Sequence, residues 1–313
     1  MMNFDVIADW TLNKFCNFSC PYCFVSMKDR RDGTYKGNDV QRIINSFNNS
    51  EKIWLVHMSG GEPFFHPDFI DLCKGLTEKH CISLNTNLSN QLVYDFCENI
   101  DPKKVSFVHC SLHISERENQ KLLNDFIEKV RVLEQATFNV FITQVMWPPI
   151  VDRFNQIFEF FKKKGMLVRP KLFRGNYRWE EYPQSYSERE KSTILHFMKL
   201  IGEADQSGRS MGHINPDLEK LWINGYVSFR NLPCLAGVKS VAIDFNGNIK
   251  RCHSDPTNLG NIYRDEFNLL ENAQLCKANI CGCPYYGFIF ASGKHKIVKS
   301  RIPLFVQRMF KRI

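Results

Sequence analysis

Three cysteines lie close together near the start of the chain, at a spacing that suits a metal centre. Cys16, Cys20 and Cys23 follow the pattern C-x3-C-x2-C, and an aromatic residue, Tyr22, directly precedes the third. Three thiolates can hold three irons of a four-iron cluster or three corners of a tetrahedral zinc site. Either arrangement leaves one coordination position open for chemistry. The spacing therefore predicts a metal site, with a zinc knuckle or three unrelated thiols as the alternatives.

A second motif follows the next buried apolar segment. It consists of Gly60, Gly61, Glu62 and Pro63. Glycines let the backbone approach a ligand closely, and a carboxylate can accept hydrogen bonds from an ammonium group. Taken alone, the motif could equally be an ordinary turn between a strand and a helix.

Together the two motifs resemble the radical S-adenosylmethionine (SAM) superfamily, whose signature is C-x3-C-x-aromatic-C with a later GGEP turn. The resemblance implies a four-iron (4Fe–4S) cluster on Cys16, Cys20 and Cys23. In the family, the open iron binds SAM, which is cleaved reductively to a 5′-deoxyadenosyl radical. The resemblance also implies that the GGEP turn contacts the SAM amino group, with Glu62 accepting from it, and that a flavodoxin or ferredoxin supplies electrons.

Further candidates for SAM binding end the predicted strands or lie in the cysteine loop. The family commonly presents polar groups to the SAM ribose or carboxylate and apolar groups to its adenine. The residues in matching positions are Tyr22, Asn85, Asn87, Ser111 and Met146. A polar turn is the alternative reading for the two asparagines. We identify no catalytic side chain, because hydrogen abstraction by a radical requires only that the C–H bond be well placed.

Strand-like and helix-like segments alternate along the first two thirds of the chain. Strands are predicted at 4–12, 52–58, 81–87, 104–112, 138–146 and 166–173, and helices at 38–48 (capped by Asn38), 67–79, 89–99, 116–135, 150–163 and 187–205. This alternation indicates right-handed βαβ units and a parallel sheet. Six units are too few for a complete barrel, so the predicted fold is α/β, a partial (β/α)6 TIM barrel as in the radical SAM family. Ligands then bind at the C-terminal ends of the strands.

The chain divides into four predicted parts. Residues 1–206 form the barrel, 207–233 a linker with one short helix near 216–223, 234–293 a small cysteine-bearing domain, and 294–313 a basic amphipathic tail. Within the small domain, a β-hairpin is predicted from two apolar segments around the turn Asn246-Gly247-Asn248.

Five cysteines follow the barrel: Cys234, Cys252, Cys276, Cys281 and Cys283. The first two enclose the hairpin in the pattern C-x12-G-x4-C, which resembles the opening of the SPASM and twitch modules of radical SAM enzymes. The resemblance implies one auxiliary four-iron cluster held by four of the five, which could accept an electron and give a net oxidation. The last three have the spacing C-x4-C-x-C, which departs from the usual pattern, so the four ligands stay unidentified. A zinc site is the alternative.

Composition limits the cellular setting. The chain has 313 residues, a mass of 36.6 kDa and twelve cysteines. We see no secretory signal and no apolar segment near the ~20 residues of a membrane span. We therefore expect a cytoplasmic protein whose cysteines serve metal chemistry rather than disulfides. Four isolated cysteines, Cys73, Cys81, Cys97 and Cys110, are predicted to be core thiols.

The net charge of +8 belongs to the end of the chain. Eight of the 41 basic residues follow Glu271, the last acidic residue, so the remainder is neutral. This distribution of charge argues against nucleic-acid binding by the whole protein. From Pro303 onward, a helix would be basic on one side and apolar on the other. Such a helix could lie on a membrane surface, dock a partner, or pack on the barrel.

The candidate substrate-binding residues are His113, Lys171, Arg174 and Tyr177. Lys171 and Arg174 could bind a carboxylate or phosphate. The small auxiliary module and the lack of a separate peptide-recognition domain favour a small polar, sugar-derived metabolite as substrate. The alternatives are a peptide (RiPP-type) maturase that forms a thioether or carbon–carbon crosslink, and a non-catalytic zinc or iron–sulfur regulatory protein.

Overall fold

The computed structural model describes residues 3–33, 35, 39–204, 216–225, 230–231 and 233–278. Its centre is a parallel sheet of six strands in chain order, which confirms the predicted α/β partial barrel. The strands are β1 (Val6–Asn13), β2 (Trp54–Gly60), β3 (Cys81–Thr86), β4 (Val105–Ser111), β5 (Val140–Val145) and β6 (Val168–Lys171).

Helices cover one face of this sheet. They are α1 (Met27–Arg31), α2 (Val40–Asn49), α3 (Phe69–Lys79), α4 (Leu92–Asn99), α5 (Ile114–Gln120), α6 (Leu123–Gln135), α7 (Pro148–Val151), α8 (Phe154–Lys162), α9 (Glu188–Ala204) and α10 (Pro216–Ile223). Alternate strand residues, such as Ala8, Val56 and Ile82, lie in register and join one large apolar core with these helices.

The opposite face of the sheet lines the interior of the barrel and is partly polar. Asp9, His57 and Ser83 lie side by side on β1, β2 and β3. Ile7, Leu55 and Cys81 each lie two residues earlier on the same strands, and they form a small separate apolar cluster. On β1–β3 the barrel therefore has an apolar floor with polar residues above it, whereas Phe107 and Phe141 form an apolar cluster on β4 and β5.

The C-terminal strands extend the same sheet. They are β10 (Ser240–Ile243), β11 (Asn248–Cys252), β12 (Asp255–Asn261) and β13 (Glu266–Phe267). The predicted hairpin is present as β10 and β11. The sequence did not indicate that β10 pairs in parallel with β1, which covers the exposed backbone edge of that strand. Two short pairs complete the strands: β7 (Gly175–Tyr177) with β8 (Glu180–Tyr182), and β9 (Pro233–Cys234) with β14 (Gln274–Leu275).

Three helix predictions need correction. The single helix at 116–135 is two helices, because Lys121 adopts a left-handed conformation (φ 57°) that ends α5. The helix at 150–163 is likewise interrupted between α7 and α8. Asp39 caps α2, since its side chain accepts from the Arg42 amide; Asn38, the predicted cap, lies outside the described residues.

The ten cysteines within the described ranges are all free, and Cys73, Cys81 and Cys110 are buried as expected, with Cys97 packed against the core. None of the helices that the structure describes has the length and apolar character of a membrane span. Cys281, Cys283 and the predicted amphipathic tail lie outside the described residues. Membrane contact by the tail stays a prediction.

Candidate active site

The cysteine loop follows β1 and is held by charged side chains rather than by regular structure. Arg30, which is buried, donates from Nη1 to the carbonyls of Phe18 (3.3 Å) and Cys20 (3.2 Å). The Cys16 amide donates back to the Arg30 carbonyl at 3.0 Å. Arg31 donates to the Cys16 carbonyl and to Ser19 Oγ. Two consecutive arginines of α1 therefore fix the path of the loop between its cysteines.

Two further elements of the barrel contact this loop. On α5, Glu116 accepts the Ser19 amide at 3.0 Å. After β3, the Asn87 amide nitrogen Nδ2 lies 3.7 Å from Cys16 Sγ and 3.1 Å from Asn17 Oδ1. The first predicted cysteine thus sits directly beside one of the predicted SAM-binding residues.

The environment of the thiols bears on what they can bind. Burial, with a further contribution from Glu62, raises the pKa of Cys16 to about 12. Burial and the neighbouring Glu116 raise the pKa of Cys20 to about 12. Metal ligation requires thiolates, so a positively charged centre must displace these protons. In the described part of the chain, no three His, Cys, Asp or Glu side chains are arranged around a single ion. Three soft thiol donors that each take a separate iron suit a four-iron cluster.

The Gly60–Gly61 turn packs backbone to backbone on the segment that leads into the loop. The amides of Gly61 and Glu62 donate to the carbonyls of Asn13 (2.9 Å) and Phe15 (2.7 Å). A Cβ on Gly61 would lie 2.0 Å from the Phe15 oxygen, and one on Gly60, which has φ +129°, would lie 2.2 Å from the Asn13 oxygen. This close approach requires glycine at both positions.

Glu62 does not have the free carboxylate that the sequence led us to expect. The side chain is fully buried, and its two oxygens accept from Thr86 Oγ1 (2.6 Å), the Asn87 amide (2.5 Å) and the Phe64 amide (3.2 Å). Burial nevertheless raises its pKa to about 7. Glu62 therefore ties the end of β2 to the end of β3, and its contact with a SAM amino group stays a prediction. Pro63 begins a short 3-10 turn and is buried.

The polar groups predicted at the ends of β3 and β4 lie together. Ser111 Oγ donates to Asn85 Oδ1 at 3.0 Å. The buried Arg117 of α5 donates to the carbonyls of Leu112 (2.5 Å), Ser111 (3.3 Å) and Asn87. Arg117, Arg30 and Glu116 were missed in the sequence, because charged residues on short helices are usually solvated.

A wall of aromatic contacts runs from the cysteine loop to the β7–β8 hairpin. The Tyr22 hydroxyl and His113 Nδ1 are 2.8 Å apart, and the rings of Tyr22 and Trp147 are 5.5 Å apart. Trp147 in turn meets Tyr177 edge-on at 5.5 Å. Burial lowers the pKa of His113 to about 3, so its ring is neutral and holds Tyr22. Tyr177 lies in this wall, and its role in substrate binding stays a prediction.

The remaining candidate residues, Met146, Arg174 and Lys171, lie in different surroundings. Met146 is fully buried in the core; its amide donates to the Lys171 carbonyl (2.8 Å) and its carbonyl accepts from Tyr186 (2.5 Å), and its role in SAM binding stays a prediction. Arg174 is exposed and stacks on Trp222 at 4.3 Å. Lys171, on the inner face of β6, is half-buried.

The described cysteines of the auxiliary set converge around Arg251. Residue 274, two before Cys276, pairs with Cys234 across β14 and β9. The buried Arg251 donates to the carbonyls of Ala236 (3.1 Å) and Gln274 (3.0 Å) and to Asp255 (2.8 Å). Burial raises the pKa of Cys234, and the nearby thiols of Cys276 and Cys252 add to the increase. Three thiols on adjoining segments that are not arranged around a single ion in the described ranges suit an iron–sulfur cluster, in which each thiol takes a separate iron.

The chain is similar in sequence to a known family and to several known proteins. Residues 10–161 match the family model of the radical SAM superfamily. The mycofactocin maturase MftC of Mycobacterium ulcerans is 23% identical over 263 residues, which is 79% of this chain and 68% of the maturase. A probable GTP 3′,8-cyclase of Saccharolobus islandicus is 23% identical over 49% of this chain and half of its own length.

Solved structures share the fold. anSMEcpe with bound AdoMet and Cp18Cys peptide superposes with a TM-score of 0.57 at 17% identity, covering 82% of this chain and 77% of its own. Streptococcus suis SuiB bound to S-adenosylmethionine gives a TM-score of 0.57 at 13% identity, covering 83% and 64%. At these identities the likeness concerns the fold.

Proposed function

The chain carries a radical SAM domain over residues 10–161, and on that premise we propose that it is an enzyme that abstracts hydrogen from a small polar metabolite bound inside the barrel. Radical SAM enzymes use SAM and a four-iron cluster. When bound, these cofactors supply a 5′-deoxyadenosyl radical. The non-catalytic reading is set aside because superfamily membership supports an enzyme.

One feature carries the proposal: the ends of two separate strands, β2 and β3, meet the cysteine loop or the segment that leads into it. Gly61 and Glu62, after β2, donate to the carbonyls of Asn13 and Phe15, just before Cys16. Asn87, after β3, places its side-chain amide beside Cys16 Sγ. A cluster on Cys16, Cys20 and Cys23 would therefore lie against the backbone of the glycine turn, where the SAM amino group can be bound.

The polar side chains at the ends of β3 and β4 suit the rest of the cofactor. Asn85 and Ser111 already hydrogen-bond to each other, so both are oriented to share a ribose hydroxyl or carboxylate. Arg117 holds the carbonyls of Ser111 and Asn87, which fixes the two strand ends relative to each other. Tyr22, braced by His113, offers an aromatic face beside the same site.

The inner face of the barrel favours a small polar substrate. Aspartate, histidine and serine line it where an apolar substrate would need an apolar wall, and Ile7, Leu55 and Cys81 close it below. A reductant of the flavodoxin or ferredoxin type is part of this proposal. The five C-terminal cysteines are proposed to hold one auxiliary cluster, with Cys234, Cys252 and Cys276 as three of its ligands.

A peptide maturase is the second candidate. It is favoured by the name of the maturase that aligns with most of this chain and by the peptide bound to anSMEcpe. Anaerobic assay of deuterium transfer into 5′-deoxyadenosine separates the two. Transfer from a labelled polar metabolite supports the first candidate, and transfer from a precursor peptide that co-purifies with the enzyme supports the second.

Removing the first cysteine of the loop tests the reaction itself. We expect the reconstituted wild type to hold about eight irons per chain and to form 5′-deoxyadenosine when reduced with dithionite. Cys16→Ala should lose about half of the iron and all 5′-deoxyadenosine. The control is Cys97→Ser, a cysteine on α4 away from both cysteine sets. Zinc in place of iron, or full activity in Cys16→Ala, contradicts the proposal.

A further inference from the structure

Five titratable side chains that the cofactor-binding groups do not use meet inside the barrel. This interior cluster consists of Asp9, His57, His109, Lys171 and His253, from β1, β2, β4, β6 and the residue after β11. Strand pairing sets Asp9 beside His57, and His109 beside Asn85. Asp9, His57 and His109 therefore lie below the C-terminal ends of their strands, and Lys171 lies at the C-terminal end of β6.

Most members of the interior cluster already have a partner. His57 Nδ1 lies 2.9 Å from Ser83 Oγ, and His109 Nε2 lies 2.5 Å from Thr143 Oγ1. Burial lowers the pKa of both histidines, that of His57 to about 4, so both rings are neutral. His253 Nε2 contacts Asp9 Oδ2 at 2.8 Å, which joins the C-terminal strands to the first strand of the barrel.

Lys171 differs from the others. Its ammonium makes no hydrogen bond or ion pair with any residue in the described ranges. Lys171 lies on the inner face of the sheet, like Asp9, His57 and His109, and its charge lowers the pKa values of these three groups. Burial, with Arg174 adding to it, lowers the pKa of Lys171 to about 8 despite the opposing Glu219 and Asp9. A partly buried cation that has no partner among the residues the structure describes favours an anion beside it.

The carboxylates nearby do not fill this role. Asp9 is bound to His253, and Glu219 of α10 accepts the Leu172 amide at 2.7 Å. Arg174 adds positive charge to the same region of the barrel. The charges around Lys171 therefore favour a negatively charged ligand group there.

We infer that the interior cluster is the substrate-recognition site, in which Lys171 binds a carboxylate or phosphate of the substrate and the Asp9–His253 pair faces a neighbouring hydroxyl or amino group. This inference rests on the proposed function. It narrows the substrate class from polar metabolites to anionic ones that carry a hydrogen-bonding substituent near the anionic group. Peptides would enter through a side-chain or terminal carboxylate.

Binding of simple anions tests the inference before any substrate is known. The probes are inorganic phosphate and malonate, added to the reduced, reconstituted full-length enzyme and followed by phosphorus-31 and carbon-13 relaxation. Lys171→Met should weaken binding about tenfold or more, as expected for loss of one charge-assisted hydrogen bond. Lys164→Met is the matched control, because Lys164 is exposed and its ammonium lies 5.0 Å from the centre of the exposed Phe160 ring.

The outcomes are distinct. If Lys171→Met weakens the binding of phosphate alone, the substrate carries a phosphate at this site, and if it weakens the binding of malonate alone, the substrate carries a carboxylate. Weaker binding of both probes means that Lys171 accepts either group. Equal binding by wild type and Lys171→Met means an adventitious ion only and overturns the inference. So does a matching loss of SAM affinity in Lys171→Met, because Lys171 then serves the cofactor. Failure of the proposed function appears separately, as a wild type that forms no 5′-deoxyadenosine.

Discussion

Gly61→Ala is expected to reduce SAM cleavage about 100-fold or more while the chain still folds. The added Cβ would lie 2.0 Å from the Phe15 oxygen and 2.5 Å from the Lys14 oxygen, both of them backbone atoms. The turn must therefore move away from the segment that leads into Cys16. A shift of about 1 Å at a reacting centre is enough for a loss of this size. Iron content and 5′-deoxyadenosine formation measure the effect.

Gly202→Ala is the control for this prediction. Gly202 lies in α9, and a Cβ there meets nothing within 4 Å. Alanine in a helix interior is favoured over glycine by about 0.5–1 kcal/mol, so this variant should keep full activity and gain slight stability. If Gly61→Ala retained the iron content and activity of Gly202→Ala, the close contact between the turn and the cysteine loop would be irrelevant to function.

Local motifs and strand–helix alternation were readable from the sequence, because both depend on residues near one another in the chain. The cysteine spacing, the glycine turn and the six-strand order are of this kind. The segment that the glycine turn packs against could not be predicted from the sequence. Gly61 contacts Asn13 and Phe15 across nearly fifty residues, and that contact exists only once β1 and β2 pair in register.

Buried charges account for most of the missed site residues. Arg30 lay outside the predicted helices, and Glu116 and Arg117 lay at the start of a predicted long one, where charged residues are usually solvated. Each nevertheless holds a backbone group of the cysteine loop or of a strand end. The interior polar residues left a weak signal. Asp9 and His57 interrupt apolar strands at positions that face away from the helices, and strict alternation along β1 and β2 would have placed them together.

The pairing of the C-terminal strands with the barrel could not be predicted from the sequence. The hairpin was evident from its turn, but its parallel pairing with β1 joins residues more than 230 positions apart. That pairing brings His253 to Asp9, so the substrate region includes a side chain from the part of the chain assigned to the small domain. Local pattern reading cannot supply such a contact, since parallel pairing carries no turn signal.

Arg251→Met is expected to remove the auxiliary cluster and leave the SAM-binding cluster in place. Arg251 joins the segments of all three described auxiliary cysteines: it precedes Cys252 and donates to the carbonyls of Ala236 and Gln274. Methionine keeps the volume and loses every donor. We expect iron to fall by about four per chain, with the electron paramagnetic resonance signal of the first cluster retained. Dithionite-driven 5′-deoxyadenosine formation should therefore persist.

The loss of stability in Arg251→Met depends on the partners that Asp255 keeps. The pKa of this carboxyl is held well below its usual range, because hydrogen bonds from Thr257 and Arg251 outweigh burial. Removing one partner of a buried pair costs about 3–5 kcal/mol, but Thr257 and Lys277 (3.5 Å) remain beside Asp255. We therefore expect a loss in unfolding free energy at or below the lower end of that range, measured by denaturant titration of the metal-free protein.

Two neighbouring substitutions separate positioning from charge. Arg251→Lys keeps the charge but lacks the planar fork that reaches Ala236, Asp255 and Gln274 at once, so it should restore stability more than iron. Lys250→Gln, on the same strand, removes a 2.8 Å ion pair with Asp244 and should leave the iron content unchanged. Full iron content in Arg251→Met would mean that the cysteine segments assemble without this arginine. Equal iron loss in Lys250→Gln would mean that general disruption of β11, rather than the Arg251 contacts, empties the site.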